Sequence, residues 1–217
     1  MTSSDVVTST SSRMNNKLLK SETTKKYSVF SVVSLQDAAI AILTTEDILE
    51  KVSLTFFFYS KWLSHEINSI STPTPSQVQA QQATPSQSSI SSSSCSSQLP
   101  NKPFRKILMT EGAPPSQKKN SITNLIHGIA HAESYAIELF WDCIGRYSSS
   151  YSLPREFYDE MIFIANQEAQ HFLSWYERLQ ELSCPYGTLW SHDGLWKSAE
   201  ETHHRSLLLP PYSLTPF

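Results

Sequence analysis

Residues 122–144, ITNLIHGIAHAESYAIELFWDCI, and residues 153–175, LPREFYDEMIFIANQEAQHFLSW, decide the fold of this chain. In the first stretch Ile122, Ile126, Ile129, Glu133, Ile137, Phe140 and Ile144 follow one another at steps of three and four, the spacing of one face of an α-helix. In the second, Phe157, Met161, Ile164, Glu168, His171 and Trp175 repeat the pattern, and Ser152 with Pro154 marks where that helix opens. Each helix carries a carboxylate in the middle of an otherwise apolar stripe. The expectation is that Glu133, Glu168 and His171 point into a core, where a carboxylate is costly unless it is paired or bound to a metal.

Residues three apart on a helix are neighbours, so Glu168 and His171 can reach one ion together, the Glu-x-x-His arrangement of carboxylate-bridged di-iron bundles. Oxygen and imidazole donors suit iron, with manganese as the other candidate, better than a thiolate-preferring metal. Alone, Glu168 and His171 read at least as well as a buried ion pair, and Glu200 with His203 and Glu201 with His204 repeat the spacing. Glu133 tips the balance toward a metal. Two antiparallel helices of similar length with a short connection bring it level with Glu168. A second stripe on the first helix holds His127, His131, Ser134 and Glu138. His127 reads as part of a polar packing face, whereas His131 and Glu138 stay open between that role and bonding to the ligands or relaying protons.

Working outward, residues 34–67 show apolar spacing that fits two further helices, with Thr44 or Thr45 as cap of the second. The chain then divides into a leader over 1–26 that is expected to be disordered, a helical segment over 27–68, a low-complexity Ser/Gln/Pro linker over 69–101, a bundle domain over 102–209 and a tail over 210–217. After Cys184-Pro185-Tyr186-Gly187 the expectation is an ordered loop with aromatic anchors, and helix again near Trp196. The fold class is therefore all-α, a helical bundle with polar extensions.

The 217 residues include 17 basic and 20 acidic ones, a net charge of −3, which gives no global attraction to nucleic acid. Lys102, Arg105, Lys106, Lys118 and Lys119 precede the first bundle helix and read as solvated linker charges, without the interleaved aromatics of single-strand binders. Three cysteines, one of them Cys95 inside a serine run, offer no disulfide framework, so the chain reads as intracellular and cytoplasmic. Its longest strongly apolar run, Phe56 to Tyr59, is far short of the ~20 residues a membrane helix needs.

HGIAHAESYAIELFWD at 127–142, LPREFYDEMIFIANQEAQHFLSWYERLQEL at 153–182 and YGTLWSHDGLWKSAEETHH at 186–204 together resemble an uncharacterised family with a ferritin-like fold, more loosely similar to di-iron hydroxylases that modify tRNA. SLQDAAIAILTTEDILEKVSLT at 34–55 resembles that family's N-terminal segment. The resemblance implies Glu133 as a ligand on the first helix, Glu168 with His171 on the second, and Glu200 at the start of a third as a further ligand. It also implies a non-haem di-iron oxidoreductase or hydroxylase. The tail RSLLLPPYSLTPF departs from the family's pattern, so the expectation is an incomplete bundle, truncated before its fourth helix. Two outcomes follow from half a ligand set: a homodimer that completes the metal site, or a truncated, non-catalytic metal-binding or interaction protein.

Overall fold

A computed structural model of the chain describes residue 32 and residues 34–71, 99–107, 109–110 and 121–201. The leader, most of the Ser/Gln linker and the tail, with Cys95, Lys118, Lys119, His203 and His204, lie outside the described residues.

Helix α1 (Leu35–Thr44) starts at a reciprocal cap: the Asp37 amide donates to the Ser34 hydroxyl, and the Ser34 amide donates to the Asp37 carboxylate. Helix α2 (Ile48–Leu63) is capped by Asp47, whose carboxylate accepts from the Glu50 amide at 3.0 Å. This corrects the expected Thr44 or Thr45 cap. Both threonines donate back to carbonyls of the preceding turn and so end α1 instead. Strand β1 (Met109–Thr110) pairs in parallel with β2 (Ser191–His192). Between them run α3 (Ser121–Ser150) and α4 (Arg155–Glu181), and α5 (Gly194–Glu200) follows β2.

Helices α3 and α4, of 30 and 27 residues, form an antiparallel hairpin. Cys143 meets Met161 near the connection, and Glu133 meets Glu168 and His171 farther from it. Helix α1 packs on α3 and α2 on α4, so the four long helices enclose one core. Leu35, Ile42, Phe58, Trp141, Ile144, Tyr158, Ile162 and Phe172 sit in it without solvent exposure. The α1–α3 approach is close at Gly145, where a Cβ would stand 2.5 Å from Leu99 and 3.0 Å from Ala39. Trp141 donates its indole N–H to Thr55, and Trp62 donates to Asp159. Among the described residues no helix is long and apolar enough to cross a membrane.

The buried stripes are rotated from the expected ones. On α4 the core face is Tyr158, Ile162, Ala165, Ala169, Phe172 and Leu179, one residue, or about 100°, round from Phe157, Met161, Ile164, Glu168, His171 and Trp175. On α3, Ile126, Ile137 and Ile144 are buried, yet Ile122 is 58% exposed and the Ser134, Glu138 and Trp141 side is sealed. Small residues explain the choice on α4. Ala165 and Ala169 let backbones approach, whereas the bulkier parallel stripe lies along the edge of the contact.

Candidate metal centre

Because of that rotation Glu133, Glu168 and His171 stand at the rim of the α3–α4 seam rather than in the core. Their side chains are 21%, 20% and 55% exposed, which corrects the expectation of inward-pointing ligands. The structure nevertheless brings the three together: one ligand atom from each lies within 4.8 Å of the others. His171 Nδ1 is 3.2 Å from Glu168 Oε2 and 4.0 Å from Glu133 Oε2. The Glu133 carboxyl is pushed up to about 7, first by desolvation and then by the adjacent Glu168, while His171 and Trp175 pull it the other way. Two carboxyl groups thus crowd one spot where a positive charge would relieve both.

The other site residues are placed elsewhere. Glu200 is exposed at the last residue of α5 rather than at the start of a helix, and it is not part of the three-residue group. Glu138 is sealed beneath α2 and takes Lys51 Nζ at 2.5 Å and Arg105 Nε at 2.7 Å. Arg105 Nη2 lies 2.5 Å from the oxygen that its Nε contacts, so the guanidinium meets the carboxylate through both nitrogens. Lys51 also donates to the Phe104 carbonyl, and the Arg105 guanidinium lies 3.4 Å over the Tyr135 ring.

His131 Nε2 is 3.0 Å from the His192 carbonyl, which can only accept, so that nitrogen carries the proton. His131 Nδ1 is then the acceptor for the Tyr186 hydroxyl at 3.0 Å. Burial holds the His131 imidazole down at about 4, against the raising effect of the His192 carbonyl. Neither His131 nor Glu138 is bonded to Glu133, Glu168 or His171; this corrects the reading in which they support the ligands. Their hydrogen bonds tie the helix to α2, to the 104–105 segment and to the 186–192 loop. His127 has the packing role: its Nε2 accepts from the Gly187 amide at 3.0 Å and its ring stacks on Tyr186.

Residues 44–208, three-quarters of the chain, match a family model described as a protein of unknown function, DUF455. The chain belongs to that family. A protein of Haemophilus influenzae strain Rd, itself described as uncharacterized, is 32% identical over 83 residues, covering 36% of this chain and 29% of the relative. The match thus spans less than a third of that relative's length. No solved structure shows a significant match.

For this DUF455 chain two residues of the buried network were not anticipated. Lys51 stands on the apolar face of α2 between Ile48 and Val52, and a lysine on such a face is the signal that a carboxylate waits opposite. Arg105, read as a linker charge, follows buried Pro103, which anchors its segment. No spacing rule links either to Glu138, which is 87 residues from Lys51 and 33 from Arg105.

Proposed function

We propose that this DUF455 protein binds a divalent metal through Glu133, Glu168 and His171, with iron as the favoured ion and manganese as the alternative, in a ferritin-like arrangement of helices. The observation that carries the reading is the meeting of three such donors from two helices within 4.8 Å, with Glu133 and Glu168 crowded together. The donor chemistry fits: carboxylate oxygen and imidazole nitrogen suit iron and manganese, and a cation would offset the repulsion between the two carboxyl groups.

A bundle site for two metals takes a Glu from each of two helices and a Glu-x-x-His from each of two others. The described residues offer half of that set. A second copy of the chain related by a two-fold axis would supply the other half and cover the half-buried Met161, Ile164 and Trp175 around it. In that state a pair of irons would supply dioxygen activation for an oxidation or hydroxylation. The side chains of this chain would hold the ions and set their spacing.

The competing reading is a non-catalytic metal-binding or interaction protein, favoured by the 55% exposure of His171. Anaerobic Fe(II) titration followed by oxygen distinguishes them, with sedimentation run alongside. Two irons per dimer and an oxidation-dependent absorption band support the enzyme; binding without a spectral change on oxygenation supports the second reading. Glu168→Ala and His171→Ala are expected to lose tight iron binding with helix content intact, and unchanged iron content by elemental analysis in both would sink the metal assignment.

A further inference from the structure

A cavity of about 380 Å³ opens more than a quarter turn round α3 from Glu133, between that helix and the loop and short helix from Leu189 to Leu195. Its helix side is formed by Asn124, His127, Gly128, His131 and Ala132, and its other side by Leu189, Trp190, Ser191, His192 and Leu195. The size is that of sites for small organic molecules, and apolar walls with a few polar edges are their usual lining. Trp190 and Leu195 are 42% and 46% exposed around it.

Gly128 points to what the space is for. A glycine inside a helix is less favourable than alanine by roughly 0.5–1 kcal/mol, so it normally has a steric reason. At Gly145 on the same helix that reason is plain, since a Cβ would strike Leu99. At Gly128 a Cβ would meet nothing within 4 Å, and its φ is not in the left-handed range. Among the described residues no packing or backbone need accounts for the missing side chain. Its effect is to keep the floor of the cavity, Gly128 with Ala132 one turn on, low and open.

The lining also selects by charge. Among the described residues that line the cavity there is no Asp, Glu, Lys or Arg. The nearest carboxylate on this loop, Asp193, is already held by Lys102 and Lys197. An ionic ligand would therefore lose its hydration without gaining a counter-ion. The Asn124 amide and the ring nitrogens of His127 and His192 that the Gly187 and Gly194 amides do not engage offer hydrogen bonds to a neutral partner, and the half-exposed Trp190 offers a ring face. We infer that this cavity is a binding site for a small, uncharged heteroaromatic molecule of one or two rings, seated over Gly128 against Trp190, separate from the Glu133–Glu168–His171 cluster.

The test uses the full chain with indole as the neutral probe. Tryptamine and indole-3-acetate serve as cationic and anionic probes carrying the same ring. Saturation-transfer NMR and isothermal titration calorimetry should show saturable indole binding, about millimolar or tighter for so few atoms, and at least tenfold weaker binding of both charged analogues. Gly128→Leu has room to fold, fills the floor, and should weaken indole binding at least tenfold while the melting temperature is held. Trp190→Ala, at an exposed position, should also weaken it. Equal binding by wild type and Gly128→Leu overturns the inference, as does absence of saturable binding or preference for a charged analogue. Binding that appears only after residues 202–217 are removed would assign the cavity to the chain's own segment and overturns it equally.

Discussion

Replacing Glu138 by alanine removes the carboxylate that both Lys51 and Arg105 contact, in a place where water cannot take over. The Glu138 and Lys51 side chains are each 1% exposed and Arg105 is 9% exposed. Loss of one partner from a buried ion pair costs about 3–5 kcal/mol because the remaining charge stays desolvated. The two cations would not share that cost equally. Burial already pulls the Lys51 ammonium below its ordinary range despite Glu138, so without the carboxylate it can shed its proton and keep a bond to the Phe104 carbonyl. Arg105 has no such escape, since a guanidinium does not deprotonate in proteins. Its residual partners include the Ser134 hydroxyl at 3.2 Å, the Tyr135 ring face and the Tyr186 hydroxyl. The expected loss is therefore about 3 kcal/mol, toward the lower end, which at about 2–4 °C per kcal/mol for a chain of this size lowers the melting temperature by about 6–12 °C. The assay is thermal unfolding by circular dichroism at pH 7. A triple replacement, Lys51→Met with Arg105→Met and Glu138→Leu, should recover most of the loss, because an apolar substitute for a whole buried network is often neutral or better. A Glu138→Ala protein that melts within 2 °C of wild type, or a triple variant worse than the single one, would refute the reasoning.

Two glycines on α3 should respond in opposite directions. Gly145→Ala forces a Cβ against Leu99 and Ala39 and should cost about 1–3 kcal/mol in chemical denaturation, whereas Gly128→Ala, facing open space, should gain about 0.5–1 kcal/mol. Acid should also weaken the fold through His131. Its imidazole is held at about 4 when folded against an ordinary 6.5, so the unfolded chain takes up the proton first. The contribution is whole above pH 6.5, falls as pH drops toward 4, and amounts to about 3 kcal/mol at most. Melting temperatures from pH 7.5 to 4.5, compared with those of His131→Gln, isolate it: the variant should show the shallower slope, and parallel curves would contradict the assignment.

The helices were legible because their signals are local. Ser152 with Pro154 and the break at Cys184–Gly187 punctuate the chain within a few residues, and the 3.6-residue period of α3 and α4 spans many turns. Which face of each helix turns inward was only partly legible. On α4, two stripes one residue apart carry the same step pattern, and the apolar bulk of Phe157, Met161, Ile164 and Trp175 makes the wrong one look better. The choice is made by partners distant in sequence. Trp62 of α2 bonds to Asp159, which fixes the rotation near the start of α4, and Phe172 packs edge-on against Tyr186 of the far loop, which fixes it near the end.

The same rotation explains what could and could not be read of the site. Glu133, Glu168 and His171 were found by their spacing, and spacing survives a rotation of both helices, so the three still converge at the rim. Their surroundings depend on the angle and were misjudged. On α3, turning Glu133 to the edge turns Glu138, five residues on, into the interior, where its charge needs the buried Lys51 and Arg105. It also carries His131 to the loop at Tyr186 and His192, and leaves Gly128 and Ala132 along the cavity. One helix thus serves three separate environments on three of its faces: a half-wet carboxylate cluster, a sealed ion network and an open apolar pocket. A polar residue on such a helix is assigned by its angle to the partners that fold against it, and the decisive partners here, Lys51, Arg105 and Tyr186, come from segments on both sides of α3 in the chain.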